Sequence, residues 1–177
     1  MTADLDNELA RGLALQEAGK NRQALEAFDR VIAAADRVVG AEAEELVAAG
    51  WQGKCQVLVR EKRWAETLDA ASACAALYGE RPGLKFRWVV ADARRMHCLA
   101  TAALSVSATG QRGASAFAEQ DSLIEWLRGQ PETRFRPELA WQLADKVRWR
   151  AGEDEALDAL DELVGVLAKL GDVPAPE

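Results

Sequence analysis

The chain has 177 residues, of which 49% are hydrophobic and 29% charged, with a formal net charge of −7. This composition is typical of a folded protein and excludes a disordered one. No apolar run approaches the roughly 20 residues of a membrane helix, and the acidic N-terminus lacks the pattern of a signal peptide, so we expect a soluble, cytoplasmic protein.

Apolar residues recur at helical spacing along the chain, whereas strand signals are almost absent. Glycine, proline and polar clusters divide this pattern into eight predicted helices. The predicted helices span 3–18, 20–39, 41–61, 64–79, 84–109, 114–129, 136–151 and 153–170. Three apolar stripes are predicted to face the core: Ala24, Phe28, Val31 and Ala35; Trp64, Leu68, Ala71, Ala75 and Tyr78; Leu160, Leu163, Leu167 and Leu170. The tail 172–177, which contains two prolines, is expected to be flexible.

The first predicted hairpin resembles a tetratricopeptide repeat. Gly12 and Leu15 match the first-helix positions of that motif, Gly19 its turn, and Ala24 and Phe28 its second-helix small and aromatic positions. Small residues at the crossing let two helices approach closely, and large residues beside them fill the remaining space.

The later hairpins match the same motif more weakly. In the second hairpin, Trp51, Leu58, Trp64 and Ala71 fit, and Lys62 replaces the turn glycine. The four turns, at positions 19, 62, 110 and 152, are separated by 43, 48 and 42 residues. This spacing exceeds the roughly 34 residues of the standard repeat, and is similar to that of longer-helix relatives in bacterial regulators and scaffolds.

The resemblance implies an all-α fold, a right-handed superhelical stack of about four antiparallel helical hairpins, as one domain over residues 1–171. In this family the first helices of successive hairpins line a concave groove that commonly binds extended peptides. The resemblance places the following residues in the groove: Gln52, Gln56, Arg60, Arg94, His97, Gln142, Lys146, Trp149 and Arg150, with Leu9, Leu13 and Gln16 at one end. This set does not reproduce the family's lysine and asparagine clamp for C-terminal carboxylates.

Charge is unevenly distributed, because residues 81–150 carry 12 basic and 7 acidic side chains between two acidic ends. The leading hypothesis is therefore a protein- or peptide-binding adaptor or scaffold, whose groove has a basic centre for an acidic or carboxylate-bearing segment. One alternative is a self-associating structural subunit of a larger assembly, with tryptophans at the contacts. A nucleic-acid binder that uses Arg81, Lys85, Arg87, Arg94 and Arg95 is disfavoured by the isoelectric point near 4.9.

Signals for catalysis are few. The single histidine, His97, has no carboxylate near it along the helix, and the sequence contains no phosphate-binding loop, metalloprotease helix or nucleophile elbow. The three cysteines (Cys55, Cys74 and Cys98) are far apart and are expected to be buried as small hydrophobes. We therefore expect no enzymatic activity, no cofactor and no metal site.

Overall fold

The computed structural model describes residues 2–37, 39–110, 112–130, 135–150 and 154–171. These residues form eight α-helices and one short 3₁₀ helix at Ala35–Arg37, and none of them is in a strand. The α-helices are α1 (Thr2–Glu17), α2 (Asn21–Ile32), α3 (Ala41–Arg60), α4 (Trp64–Tyr78), α5 (Leu84–Thr109), α6 (Ala114–Arg128), α7 (Arg136–Trp149) and α8 (Asp154–Gly171). The all-α prediction is confirmed, and the tail 172–177 lies outside the described residues.

Helix α2 is shorter than predicted, because it ends at Ile32 rather than continuing to residue 39. Val31 is its last fully buried side chain, and Ala35 is exposed instead of completing the predicted stripe. Alanine favours a helix, but helices in proteins are stabilised mainly by burial of an apolar face. Between residues 33 and 40 none of the described side chains is buried, and Val39 is 95% exposed, so the chain leaves the helix.

Packing follows the order of the chain. Helix α1 contacts α2 and α3, α2 contacts α3, and α3 contacts α4, while α6 contacts α7 and α7 contacts α8. The chain divides into two compact units, an N-terminal unit of residues 1–104 and a C-terminal unit of residues 105–177. Consecutive helices that pack in this way form antiparallel hairpins. The prediction of a single domain over residues 1–171 stays a prediction.

Phe28 is the centre of the N-terminal core and is completely buried. Its ring fills the space beside two glycines, because a Cβ atom built at Gly12 would lie 2.7 Å from Phe28 Cε1 and one at Gly53 would lie 2.5 Å from Phe28 Cζ. The predicted close approach of α1 and α2 at Gly12 and Phe28 is therefore confirmed, and α3 approaches the same ring through Gly53.

The first two hairpins turn in the same way, 43 residues apart. Gly19 and Lys62 both have left-handed backbone conformations, with φ angles of 71° and 57°. The same backbone hydrogen bond of 2.9 Å closes each turn: Lys20 N–H to Leu15 C=O, and Arg63 N–H to Leu58 C=O. Lys62 therefore takes the position of a turn glycine, as the spacing predicts, although a side chain disfavours this conformation.

Two predicted apolar stripes are rotated from their expected positions. In α4 the fully buried positions are Thr67, Ala70, Ala71, Cys74 and Tyr78, so Trp64, Leu68 and Ala75 lie at the margin of the core. In α8, Ala159 is buried, whereas Leu160 and Leu167 are exposed, and the side chain of Leu170 lies outside the described residues. Within the described ranges, no helix is long and apolar enough to cross a membrane.

Candidate functional site

Three polar residues predicted to line the groove follow one another along α3 and are partnered by neighbouring helices. Gln56 Oε1 accepts a hydrogen bond of 3.2 Å from Gln16 Nε2 on α1. Arg60 Nη1 donates to the backbone carbonyl of Gln16 at 2.9 Å. Gln52 Nε2 donates to Asp92 Oδ2 on α5 at 2.8 Å. The face formed by α1, α3 and α5 therefore brings these predicted residues together.

Three side-chain contacts across this face join residues 40 positions apart, and the contact of Arg60 with Gln16 joins residues 44 apart. The three pairs are Gln16 with Gln56, Gln52 with Asp92, and Glu45 with Lys85. The first pair joins α1 to α3, and the other two join α3 to α5. Contacts at the offset of 40 residues therefore join α3 to both α1 and α5.

A cleft of about 260 Å³ opens between α3 and α5 on this face. Its walls are mostly apolar, and they are formed by Ala48, Ala49, Phe86, Trp88 and Val89, with Glu45, Gln52 and Lys85 at the edges. We call this the α3–α5 cleft. Small alanines on α3 leave the space open, and Trp88 remains 36% exposed beside it. An apolar cleft edged by a few polar groups is the usual form of a binding site for a side chain or small ligand.

Two further residues predicted for the groove, Arg94 and His97, lie on α5 and are both partly buried. They follow Asp92 by two and five residues, which corresponds to rotations of roughly 200° and 140° around the helix. Asp92 contacts α3 through Gln52, and Arg95 Nε donates to Asp92 Oδ1 within α5 at 3.1 Å. The assignment of Arg94 and His97 to a binding groove stays a prediction.

Most cations near the α3–α5 cleft already have carboxylate partners. Lys85 pairs with Glu45, Arg95 with Asp92, and Arg81 with Glu44 at 3.6 Å. Arg60 differs, because it is exposed and forms no ion pair with the described residues. A negatively charged group that approached this face would therefore meet its accessible positive charge at the C-terminal end of α3.

In the C-terminal unit, the predicted groove residues hold α7 against α6. Lys146 Nζ lies 2.7 Å from Asp121 Oδ1, and Arg150 Nη2 lies 3.4 Å from Asp121 Oδ2. Gln142 is buried, and its side chain donates to Glu138 Oε1 at 2.9 Å within α7, while its backbone carbonyl accepts a hydrogen bond of 3.3 Å from Gln120 Nε2 on α6. The side chains of Lys146 and Arg150 are therefore used in packing between helices. The side chain of Trp149, the fourth predicted residue, lies outside the described residues.

The three cysteines are buried and free, as the sequence predicts. Burial is the main cause that raises the pKa of the Cys55 thiol from 9.0 to about 12, and the negative charge of Asp92 adds to it. The pKa of Cys74 is raised for the same reason, with a contribution from Cys55. Burial also raises the pKa of Tyr78 to about 12. Thiols of this kind are protonated at neutral pH and are poor nucleophiles.

No protein-family model, curated protein or solved structure matches this chain. Its function must therefore be inferred from its own residues and from their geometry. Within the described ranges, no group of three or more histidine, cysteine, aspartate or glutamate side chains is placed to hold a metal ion. The α3–α5 cleft and the polar row along α3 remain as the best-defined site of the N-terminal unit.

Proposed function

We propose that the protein is a protein- or peptide-binding adaptor, and that the α1–α3–α5 face of the N-terminal unit receives the partner segment. The observation that carries this proposal is the α3–α5 cleft, an open apolar space beside the partly exposed Trp88. Exposed tryptophans and small apolar clefts are typical of the energetically dominant part of an interface. We further propose that the first two hairpins are successive tetratricopeptide-like repeats. The proposal is supported by the likeness of their turns, which are closed by the same backbone hydrogen bond. The right-handed superhelix of such repeats stays a prediction.

The geometry of α3 suggests what the partner segment contains. An apolar side chain would fill the α3–α5 cleft, and a carboxylate would pair with Arg60. Gln52, at the edge of the cleft, and Arg60 are eight residues apart, which is about 12 Å along a helix. An extended peptide covers about 3.3 Å per residue, so the two recognised groups would lie about four residues apart. The amide of Gln56 lies between these points and is placed to bond the peptide backbone.

Selection of peptides from a random displayed library would test this proposal. We expect selected sequences to share an apolar residue and an aspartate or glutamate about four positions away. Two substitutions should each weaken binding of the selected peptides by about tenfold or more. Ala49→Leu fills the α3–α5 cleft, and Arg60→Glu reverses the charge at the end of α3. Fluorescence anisotropy with a labelled peptide measures the dissociation constants.

The chain offers a matched control for the cleft-filling variant. A second cleft of about 360 Å³ lies between α3 and α4 and is lined by Trp51, Ala70 and Ala73, among others. Ala73→Leu adds the same side chain there and should leave peptide binding unchanged. If Ala49→Leu and Ala73→Leu weaken binding equally, or if the selected peptides share no pattern, the proposal is wrong.

A second candidate function, self-association as a structural subunit, is favoured by a different observation. Leu160, Val164 and Leu167 on α8 are 42%, 60% and 51% exposed and lie on one side of the helix. Two copies of this stripe would bury it against each other. We expect Val164→Glu to convert an oligomer to a monomer in light scattering, whereas a wild type that is monomeric at every concentration would exclude this function.

A further inference from the structure

The C-terminal unit contains a second open site, which the proposed function does not use. A cleft of about 410 Å³ lies among α6, α7 and α8, within the range of roughly 300–1,000 Å³ that small-molecule sites occupy. We call it the C-terminal cleft. Its lining combines buried apolar side chains of α6, α7 and Phe135 with charged side chains from all three helices.

The apolar part of the C-terminal cleft is formed by fixed core residues. Leu127, Phe135 and Leu139 are all buried in the unit, and only a small part of each meets the cleft. The ring of Phe135 packs edge-on against Trp126, with 5.9 Å between the ring centroids. This floor is therefore preformed, and a ligand that covers it needs little reorganisation of the protein.

The rim of the C-terminal cleft is positive, although the chain as a whole carries a charge of −7. Among the described residues that line it, three cations, Arg128, Arg136 and Lys169, stand against one carboxylate, Glu162. Arg128 Nε donates to Glu162 Oε1 at 2.8 Å, so these two charges neutralise each other. Arg136 and Lys169 form no ion pair with the described residues, which leaves two cations beside an apolar floor.

A ligand that matches both parts of the C-terminal cleft must be apolar along most of its length and carry one negative group. Arginine binds a carboxylate through two parallel hydrogen bonds, and lysine adds a compact second charge. A neutral apolar molecule would cover the cations without pairing them, which is costly, and a small inorganic anion would leave most of the cleft of about 410 Å³ unfilled. We propose that the C-terminal cleft binds an apolar monocarboxylate, with its carboxylate at Arg136 and Lys169 and its hydrocarbon part on the Leu127–Phe135–Leu139 floor.

Gly165 provides a test that does not disturb the fold. It lines the cleft from α8, and a Cβ atom built there would meet no other atom within 4 Å. A larger side chain at this position would therefore extend into the open cleft instead of into the core. Replacement of a helical glycine by leucine or alanine also favours the helix.

Isothermal titration calorimetry with octanoate and octanol tests the proposal on the full chain. We expect octanoate to bind at least about tenfold more tightly than octanol, because only the carboxylate gains charge-assisted hydrogen bonds. Gly165→Leu should abolish octanoate binding while its melting temperature is equal to or above that of the wild type. The control Gly165→Ala should raise the melting temperature similarly and keep the affinity within about twofold.

Charge variants and a peptide arm complete the experiment. Arg136→Gln and Lys169→Gln should each weaken octanoate binding by about tenfold and leave octanol binding unchanged. A further comparison uses an acetylated peptide that ends in leucine, with either a free carboxylate or an amide at its C-terminus. The difference in affinity between the two forms shows whether the natural carboxylate is a chain terminus or a free acid. Three results would overturn the proposal. The first is that octanoate does not bind and the peptide acid is not preferred to its amide. The others are equal affinities for octanoate and octanol, and undiminished octanoate binding by Gly165→Leu.

Discussion

Phe28 occupies the space that a side chain would need at Gly53, since a Cβ atom there would lie 2.5 Å from Phe28 Cζ. The same ring blocks a side chain at Gly12. One aromatic residue of α2 therefore sets how closely both α1 and α3 approach. We therefore expect a larger side chain to lower the free energy of unfolding at Gly53 and to raise it at a glycine in open space.

Gly53→Ala should lower the free energy of unfolding by about 1–3 kcal/mol, because overpacking outweighs the gain in helix propensity. The control Gly165→Ala, which adds a methyl group in open space, should raise it. Phe28→Ala should cost about 3–5 kcal/mol, since the ring is completely buried. Urea denaturation measures all three. In the double variant Gly53→Ala/Phe28→Leu, the methyl group at position 53 should cost less stability than it does beside Phe28. Strictly additive changes in the free energy of unfolding would contradict the role of Phe28 as the blocking group.

Lys62→Gly should raise the free energy of unfolding by about 1 kcal/mol. A left-handed conformation costs a residue with a side chain roughly 1–2 kcal/mol, and glycine avoids this cost. Part of the gain is lost because glycine has greater conformational freedom in the unfolded chain. The reverse change, Gly19→Ala, should destabilise by a similar amount. A Cβ atom at Gly19 meets nothing within 4 Å, so any loss there reports backbone conformation alone. Thermal and urea unfolding should therefore change in opposite directions for the two variants, and changes of the same sign would refute the equivalence of the two turns.

Asp145→Asn should cost about 3–5 kcal/mol, because it leaves the positive charge of Arg112 buried without its carboxylate. The side chains of Arg112 and Asp145 are only 10% and 16% exposed, and their charged atoms are 2.9 Å apart. Gln120 Nε2 also donates to Asp145 Oδ2 at 3.0 Å. The exposed pair of Glu45 and Lys85 provides the control, since Lys85→Gln should cost less than about 1 kcal/mol. Comparable losses from the two substitutions, measured by urea denaturation, would show that Arg112 is better solvated than its burial indicates.

Alkaline pH should destabilise the protein through its buried thiols. The pKa of Cys55 is raised from 9.0 to about 12 in the folded state, and that of Cys74 is raised too, so the unfolded chain loses these protons first as the pH increases. The free energy of unfolding should consequently fall above about pH 9, by about 1.4 kcal/mol per pH unit for each thiol, until the folded pKa is reached. Below pH 9 the thiols contribute no slope.

The variant Cys55→Ala/Cys74→Ala separates this effect from other alkaline titrations. Its free energy of unfolding at neutral pH should be lower, because two buried side chains are reduced in size. Its slope between about pH 9 and 11 should nevertheless be shallower than that of the wild type under reducing conditions. Equal slopes would mean that the thiols do not titrate differently in the two states.

Helix periodicity was sufficient to predict the eight helices, and the spacing of small and aromatic residues was sufficient to predict the contact between Gly12 and Phe28. The rotation of α5 against α3 was not predictable in this way. Apolar residues occur on several sides of α5, so the pattern does not decide whether Asp92 or Arg94 faces α3. The contact itself decides it, because Gln52 Nε2 donates to Asp92 Oδ2 in the structure.

The apolar stripe of α8 shows a second limit of sequence reasoning. Leu160, Leu163 and Leu167 have the spacing of a buried face, and periodicity alone assigns them to the core. In the structure Ala159 is buried instead, and Leu160 and Leu167 are exposed. Both sides of α8 are apolar in part, so the choice between them depends on which surface α7 offers, and this is a tertiary property.

The sequential packing of the helices also has a consequence for how the N-terminal unit folds. Its side-chain hydrogen bonds between helices join residues from 22 positions apart, as in Glu8 and Arg30, to 44 apart, as in Gln16 and Arg60. Such short separations give a low contact order, which favours rapid folding with little loss of loop entropy. Helix α1 meets both α2 and α3 once residue 60 has left the ribosome, so this unit can fold in the order in which it is synthesised.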